Sequence, residues 1–429
     1  MNDVAEDVAS LCDGLHTVED IAGVLALKYI NPRKTIFQRV SEMVDLLSQQ
    51  GFIEINETPV PIEKKRVMPD RIEMKYPLTG LFLECTSRCN LNCIHCYLGD
   101  MPSKPVEPDK ESLMRLIDQF ALLGGMSLTI SGGEPLLRKD IYDIISHAAA
   151  KPLEVKLFSN GLLINRKVAA NLKMAGVQSV QISVDGAKPG THDDYRGKKG
   201  SFEVAWRAIE YLQDQAIKVT ISTIINKTNI GEAEALIGKC QQYQLMPSFS
   251  PQIQQGRATD TGRHCSITQA EYALFQITIN EHISEKIGGK PFAIQVPLKK
   301  SRNGHRCGAG INALTVKSNG DIIPCVDLDR PEAILGNIAS TSLEEVWNSE
   351  HVFLNYLRKT RFEDLHICPQ CSHSKYCKGG CIAAAYRAWG DYSFPDPQRC
   401  AYFSYARQKD LLVQVNEEEA TGFVIRCDK

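Results

Sequence analysis

The chain has 429 residues, of which 43% are hydrophobic and 23% charged, and its formal net charge is −2. This length exceeds what one ordinary hydrophobic core supports, so two or three domains are expected. The small charge excludes a strong overall attraction to nucleic acid or to anionic lipid, and no apolar run approaches the roughly 18 residues of a membrane span. The acidic N-terminus lacks the basic start of a signal peptide, which predicts a cytoplasmic protein. Fifteen cysteines in a reducing compartment indicate metal ligands rather than disulfides.

Residues 1–58 are predicted to form a small separate domain. Helical patterns cover residues 4–12, 17–29 and 34–50, and a short strand follows at 52–55. Three helices and a strand are typical of a winged helix-turn-helix unit. This segment contains four Lys/Arg and ten Asp/Glu residues, a net charge of −6 that phosphates would repel. A peptide or protein partner is therefore favoured over DNA, with a dimerisation or packing module as the alternative.

An alternating pattern of strands and helices follows a predicted linker at residues 59–77 and continues from 78 to 300. The β-rich runs are at residues 80–84, 127–130, 154–158, 178–184, 217–224 and 247–252. An amphipathic helical stretch follows each run, which predicts an α/β fold with a parallel sheet. We expect this sheet to curve into a partial (βα)6 TIM-like barrel. In such folds the functional groups lie in loops after the C-terminal ends of the strands.

The loop after the first predicted strand contains three cysteines within eight residues. Cys89, Cys93 and Cys96 can each bind one iron of a cubane iron–sulfur cluster, which leaves the fourth iron without a protein ligand. A zinc site would normally complete its tetrahedron with a fourth Cys or His, and His95 lies between two of these cysteines. The spacing favours a cluster, with zinc or buried thiols as the alternatives.

Unusual polar and glycine-rich segments follow the next three predicted strands. Segment 131–135 (Ser-Gly-Gly-Glu-Pro) follows the second strand, 159–161 (Ser-Asn-Gly) the third and 183–186 (Ser-Val-Asp-Gly) the fourth. Each segment alone is a common turn or strand end. In this order and after these strands, they resemble the loops of radical S-adenosylmethionine enzymes. The resemblance extends from about Gly80 to Cys400.

The resemblance implies that the three loop cysteines hold a [4Fe–4S] cluster whose open iron binds S-adenosylmethionine. In the family, reductive cleavage of this cofactor gives a 5′-deoxyadenosyl radical that abstracts a substrate hydrogen. The residues that match the family's cofactor contacts are Tyr97, Gly132, Gly133, Glu134, Pro135, Asn160, Ser183 and Arg196. The glycines allow the backbone to approach the cofactor, and Arg196 would pair with the methionine carboxylate. For His192 and Asp193, a role in ordering their loop is at least as consistent as a chemical one.

Residues 301–429 are predicted to form a second metal domain. Seven of its eight cysteines have spacings that resemble the SPASM extension of radical S-adenosylmethionine enzymes that modify peptides and proteins. The resemblance implies two auxiliary iron–sulfur clusters and divides the seven cysteines between them. The four-cysteine set is Cys368, Cys371, Cys377 and Cys400, and the three-cysteine set is Cys307, Cys325 and Cys381. Metal ligation would then supply much of the folding free energy of these loops, and ordinary zinc fingers are the alternative.

The three-cysteine set is one ligand short, because two fully ligated cubanes need eight. The fourth iron of the cluster on this set would be open or would bind a residue other than cysteine. Alternatively, the set would hold a smaller [2Fe–2S] cluster. A leftover cysteine is a further alternative. Cys265 and Cys427 are the plausible donors, because Cys12 lies in another domain and Cys240 lies on a helix. An open iron would offer a place for a substrate thiolate.

The first domain also resembles the helical part of the small chaperone of pyrroloquinoline quinone biosynthesis, which binds leader segments of ribosomal peptides. The strands that open that family's domain are not expected before Val4. Together the resemblances imply an enzyme that crosslinks or oxidises a side chain of a ribosomally made peptide or protein. Reduced flavodoxin or ferredoxin would donate the electron.

Other functions remain open from the sequence. Within enzymes, the alternatives are an anaerobic sulfatase-maturating activity and the oxidation or decarboxylation of a small molecule such as a tetrapyrrole. Outside enzymes, an iron–sulfur redox sensor would use the first domain as its regulator. The acidic charge of residues 1–58 and the presence of all the cofactor loops argue against a sensor. Neither a nucleic acid nor a membrane is expected as a partner.

Overall fold

The computed structural model describes residues 8, 11–12, 16–28, 33–49, 55, 76–100, 107–259, 263–286, 292–297, 305–374 and 377–415. The chain divides into two compact units, Met1–Lys75 and Tyr76–Lys429. Most of the predicted linker at 59–77 lies outside the described residues, as does Cys427. A search of the described helices finds none with the length and apolarity to cross a membrane.

The first unit contains two of the predicted helices, α1 (Val18–Lys28) and α2 (Arg33–Gln49). A capping box starts α1, because Thr17 Oγ1 accepts from Asp20 N at 3.2 Å and Thr17 N donates to Asp20 Oδ2 at 2.9 Å. Apolar side chains from these helices and from the preceding segment form one buried core. Its members are Val8, Ile21, Ala22, Leu25, Ile36, Val40 and Val44. The predicted strand at 52–55 lies outside the described residues except for Ile55.

Six parallel strands form the centre of the second unit, as the alternating pattern predicts. They are β1 (Gly80–Glu84), β2 (Ser127–Ser131), β3 (Glu154–Ser159), β4 (Ser179–Ser183), β5 (Lys218–Ile225) and β6 (Pro247–Pro251). Each strand pairs with the next along the chain in a parallel register. All six C-terminal ends therefore meet at one edge of the sheet. The prediction of a partial (βα)6 barrel is confirmed.

Helices cover this sheet because their apolar faces become buried. They are α3 (Lys110–Leu122), α4 (Ile141–Ala149), α5 (Arg166–Ala175), α6 (Pro189–Arg196), α7 (Ser201–Asp214), α8 (Ala233–Gln242) and α9 (Gln269–Lys286). On α4 the buried residues Ile141, Ile144, Ile145 and Ala148 follow the i, i+3, i+4, i+7 spacing of one helix face. The short helix α6 was not predicted, and it presents Arg196 at its last turn.

The C-terminal part of the chain extends the same sheet. Its remaining elements are β7 (Ile294–Pro297), β8 (Ala313–Val316), β9 (Asp321–Ile323), β10 (Gly336–Asn337), α10 (Leu343–Trp347), α11 (Val352–Lys359), α12 (Ile382–Trp389), α13 (Pro397–Gln408) and β11 (Leu412–Val415). Strand β8 pairs in parallel with β1, and β9 and β10 continue antiparallel to make a nine-stranded sheet. Strands β7 and β11 form a separate parallel pair. These short strands were not predicted from the sequence.

Candidate active site and iron–sulfur centres

The three loop cysteines lie together after the C-terminal end of β1. Burial raises the pKa of Cys89 to about 11, and the nearby thiolates of Cys93 and Cys96 contribute to the rise. Burial also raises the pKa of Cys93. Three adjacent thiolates in a poorly hydrated loop are unfavourable unless a cation binds them, and cluster formation would release their protons. This group of donors fits a cluster with three cysteine ligands.

Two glycines after β2 allow the backbone of the cysteine loop to come close. A Cβ on Gly132, whose φ is +131°, would lie 2.3 Å from Thr86 O, and one on Gly133 would lie 2.2 Å from Arg88 O. Two backbone hydrogen bonds join the same segments. Gly133 N donates to Thr86 O and Glu134 N donates to Arg88 O, both at 2.7 Å. The glycines therefore fasten the β2 loop to the cysteine loop. Their contact with the cofactor remains a prediction.

Glu134 joins the loops that follow β2 and β3. It is fully buried and accepts hydrogen bonds from Ser159 Oγ at 2.9 Å and from Asn160 N at 2.8 Å. Burial raises its pKa to about 7, against the effect of these donors. Asn160 in turn donates from Nδ2 to Asn90 Oδ1 at 2.7 Å and lies 3.9 Å from Cys89 Sγ. The predicted site residues Glu134 and Asn160 thus reach the cysteine loop through direct contacts.

Arg196 lies beside Cys93 of the cysteine loop and has an anionic partner. Its Nη2 lies 2.6 Å from Asp185 Oδ2, and its Nη1 lies 3.8 Å from Cys93 Sγ. Asp185 is fully buried after β4 and also accepts from Ile224 N at 2.8 Å. Burial raises the pKa of Asp185, while the Arg196 charge opposes that rise. Asp185 belongs to the Ser-Val-Asp-Gly segment after β4, but its pairing with Arg196 was not predicted from the sequence.

His192 and Asp193 contact backbone in the surrounding loops. His192 Nδ1 accepts from Asp185 N at 3.1 Å. The Asp193 carboxylate accepts from Gly200 N at 2.6 Å and from Phe202 N at 2.8 Å, where α7 begins. These contacts favour the loop-ordering role for both residues.

Three further predicted positions lie around the same edge of the sheet. Tyr97 directly follows Cys96, and its hydroxyl donates to Glu84 Oε1 at 2.9 Å. Pro135 is buried at the start of a short 3-10 turn, and Ser183 is half-buried at the end of β4.

Glu84 was not predicted as a site residue, although an acidic residue at the end of an apolar strand is a signal for one. Only 2% of Glu84 is exposed, and burial raises its pKa to about 7.

The loop after β6 supports the cysteine loop from another side. Arg257 Nε donates to Cys93 O at 2.9 Å, and Arg257 N donates to Cys96 O at 3.0 Å. Gly256 has a φ of +54°, and a Cβ there would lie 2.4 Å from Gly99 N. The cysteine loop is therefore fixed by the loops after β2, β3 and β6, as a rigid metal site requires.

The four-cysteine set also comes together in the structure. Burial raises the pKa of Cys368 to about 11, with contributions from the thiolates of Cys377 and Cys371. The pKa of Cys400 rises to about 12 through loss of hydration and through the thiolates of Cys377, Cys368 and Cys371. The four thiols are thus close enough to act on one another, which fits ligation of one cluster.

The three cysteines of the other set pack around one apolar cluster that includes Leu328, Phe353 and Leu357. A small cavity of about 10 Å³ lies next to Cys307, with Tyr356 among its lining residues. Cys265, a suggested eighth ligand, is buried in the barrel part, where its carbonyl accepts from Lys227 N at 2.8 Å. Its thiol contributes to the pKa of the barrel residue Tyr195. The other suggested donor, Cys427, lies outside the described residues.

Comparison with known families matches three parts of the chain. Residues 83–240 match the Radical SAM superfamily, and residues 307–372 match SPASM, an iron–sulfur cluster-binding domain. Residues 1–53 match the coenzyme PQQ synthesis protein D, PqqD. A radical SAM domain implies S-adenosylmethionine and a [4Fe–4S] cluster, and a SPASM domain implies additional iron–sulfur clusters.

Individual relatives have different activities. An AdoMet-dependent heme synthase of Nitratidesulfovibrio vulgaris is 29% identical in an alignment 348 positions long, and the alignment covers 74% of this chain and 91% of the relative. The mycofactocin maturase MftC of Mycobacterium ulcerans is 28% identical over 320 residues, covering 73% of this chain and 86% of the relative. Streptococcus suis SuiB bound to its precursor peptide SuiA has a similar fold, with a TM-score of 0.61, 17% identity and coverage of 87% and 82%. The chain therefore combines a radical SAM domain, a SPASM iron–sulfur domain and a PqqD domain.

Proposed function

We propose that the chain modifies a side chain of a ribosomally made peptide or protein, by crosslinking or oxidation. The observation that carries this proposal is the PqqD match at residues 1–53 on a chain that also has radical SAM and SPASM domains. A PqqD-like unit would hold the leader of the peptide while its core enters the barrel. The similarity to the mycofactocin maturase supports the same substrate class.

Bound at the cysteine loop, the cluster and S-adenosylmethionine would supply a 5′-deoxyadenosyl radical that abstracts hydrogen from substrate. Cys89, Cys93 and Cys96 would ligate that cluster. Arg196, held by Asp185, would place positive charge beside the cofactor carboxylate. The remaining proposed contacts are Tyr97, Gly132, Gly133, Glu134, Pro135, Asn160 and Ser183. The buried loops around them would exclude water from a reactive radical.

We further propose two auxiliary clusters, so that a loaded chain holds three. The four-cysteine set would ligate one auxiliary cluster completely, and the three-cysteine set would leave an iron of the other open. Reduced flavodoxin or ferredoxin would supply the electron for cofactor cleavage. These assignments agree with the grouping of the thiols in the structure.

The test of the proposed radical site replaces Cys89, Cys93 and Cys96 together with Ala. Loss of one cubane predicts a fall of about four irons per chain and no formation of 5′-deoxyadenosine under anaerobic reducing conditions. Cys240→Ala is the matched control, because Cys240 is buried on α8 and is not among the proposed cluster ligands. Continued formation of 5′-deoxyadenosine by the triple variant would show that this assignment is wrong.

Decarboxylation of a tetrapyrrole is the second candidate, because a heme synthase shares 29% identity with the chain over 348 residues. The two functions are separated by incubating the loaded protein with a candidate precursor peptide or with an iron porphyrin. Our proposal predicts a mass change in the peptide and none in the porphyrin. Loss of carboxyl groups from the porphyrin, with the peptide unchanged, would favour tetrapyrrole decarboxylation over peptide modification.

A further inference from the structure

The side chain of Arg306 connects segments that belong to both sets of auxiliary cysteines. Arg306 immediately precedes Cys307 of the three-cysteine set. Its Nη2 donates to Gly379 O at 2.9 Å, and Gly379 lies between Cys377 of one set and Cys381 of the other. Its Nη1 donates to the carbonyl oxygen of Tyr392 at 2.6 Å. One guanidinium group therefore holds together the segment before Cys307, the segment at Gly379 and the segment at Tyr392.

The guanidinium also lies against a glycine that leaves room for it. Gly379 has a φ of +83°, and a Cβ on it would be 3.2 Å from Arg306 Nε. This Nε is buried and has no hydrogen-bond partner among the described residues. A buried, charged donor without an acceptor is unfavourable, so the arrangement indicates an acceptor that binds there. Sulfur atoms of an iron–sulfur cluster can accept such a hydrogen bond.

The contacts of Gly379 indicate which cysteine set the guanidinium serves. Gly379 N donates to Cys377 Sγ at 3.4 Å, and Gly379 O accepts from Arg306 Nη2 at 2.9 Å. One residue therefore links the guanidinium to a cysteine of the four-cysteine set.

We propose that Arg306 is a positioning residue that raises the reduction potential of the cluster on the four-cysteine set. Positive charge and hydrogen bonds to cluster sulfur both stabilise the reduced state, because reduction adds negative charge to the cluster. The four-cysteine cluster would then accept electrons more readily than it would without Arg306. The inference rests on the auxiliary clusters of the proposed function, but it is independent of the identity of the substrate.

The test is an anaerobic redox titration of the iron-loaded full chain, followed by electron paramagnetic resonance. Signals are assigned by comparison with variants that lack one cysteine set. Arg306→Gln should reduce the one-electron equilibrium constant of the four-cysteine cluster about tenfold, which lowers its midpoint by about 59 mV. Arg330→Gln is the control, because the Arg330 guanidinium lies 4.1 Å from the centroid of the Tyr386 ring in the same part of the chain. The control should leave this midpoint unchanged.

An unchanged midpoint in Arg306→Gln, or an equal fall in the control, would overturn the inference. If Arg306→Gln loses iron, Arg306→Lys decides the question, because lysine retains the charge without the planar fork. The inference then requires Arg306→Lys to keep its iron and a midpoint close to that of the parent. Iron loss in both variants would show a purely structural role. Failure to modify a peptide would not affect these measurements, so the two proposals can fail separately.

Discussion

Two carboxylic acids, Glu84 and Glu134, are buried beside the cysteine loop. Burial brings the pKa of each to about 7, so both are near half-protonation at neutral pH. Glu134 accepts hydrogen bonds from Ser159 and Asn160, and Glu84 accepts one from the Tyr97 hydroxyl. Because the two pKa values rise equally, ionisation of either acid costs the folded protein a similar free energy.

We expect Glu84→Gln to stabilise the protein in a pH-dependent manner. The folded-state pKa is raised from 4.5 to about 7, so the parent binds more protons when folded than when unfolded between these values. The stabilisation from Glu84 is thus complete below about pH 4.5 and is lost as the pH rises through about 7. The variant avoids this loss and should be more stable than the parent by about 3 kcal/mol at pH 8. Urea unfolding at pH 5 and pH 8 under anaerobic conditions measures the difference.

Tyr97→Phe provides the control for this pH dependence. The Tyr97 hydroxyl donates to Glu84 and holds the pKa of that carboxyl lower than burial alone would. Removing the hydroxyl should therefore raise the Glu84 pKa and extend the loss of stability to higher pH. An unaltered pH profile in both Glu84→Gln and Tyr97→Phe would show that Glu84 does not titrate in this range.

The loop between β2 and the turn at Pro135–Leu137 shows how one short segment determines the site. A Cβ on Gly133 would lie 2.2 Å from Arg88 O, which is backbone and has little freedom to move. Gly133→Ala should therefore displace the cysteine loop and cost about 1–3 kcal/mol, the usual effect of overpacking. Iron bound at the core site should also fall. Iron content and the urea midpoint are the measurements.

A second glycine gives a matched control for that substitution. A Cβ on Gly190, in α6, would meet no atom within 4 Å. Gly190→Ala should keep its iron and should be as stable as the parent or slightly more stable, because alanine reduces the freedom of the unfolded chain. Equal iron content and equal urea midpoints in Gly133→Ala and Gly190→Ala would contradict a specific role for the contact between Gly133 and Arg88.

The strands of the barrel were predicted from the sequence because most of them contain closely spaced apolar residues and are followed by a recognisable loop. The run at Gly80–Glu84 and the Ser-Gly-Gly-Glu-Pro segment after β2 are examples. Strands β9 and β10 have only three and two residues, so they show no measurable periodicity. The pair of Asp185 and Arg196 was also missed, because it joins the loop after β4 to the last turn of α6. Such contacts between separate segments do not appear in local patterns.

In the second unit the strands of the barrel and the strands beside the C-terminal cysteines belong to one sheet. Strand β8 follows Cys307 and lies directly against β1, which leads into the loop with Cys89. A further link runs from Gln255 Nε2, after β6, to Asp327 O at 3.2 Å, two residues beyond Cys325. The core site and the three-cysteine set are thus attached to neighbouring strands. Substrate held between them would meet both the radical site and any open iron of the three-cysteine set.

The number of ligands to the three-cysteine cluster determines whether such a place for substrate exists. Residues 308–324 contain no cysteine, and Cys265 is buried in the barrel part beside Lys227 and Tyr195. We therefore expect the fourth iron to be open. Cys265→Ser and Cys427→Ser should each retain about twelve irons per loaded chain, the sum for three cubanes. Loss of a cluster in either single variant would identify a protein ligand and contradict the open iron.

Binding of an added thiol tests the same open iron directly. The measurement uses the variant in which Cys89, Cys93 and Cys96 are replaced by Ala, so that the open iron of the core cluster is removed. A small thiol should then change the spectrum of one auxiliary cluster, because a thiolate can occupy an open iron but has no vacant position on a fully ligated cubane. Replacing Cys307 as well should abolish the response, whereas replacing Cys240 should not. A spectrum that stays constant as thiol is added would show that the three-cysteine cluster is already fully ligated.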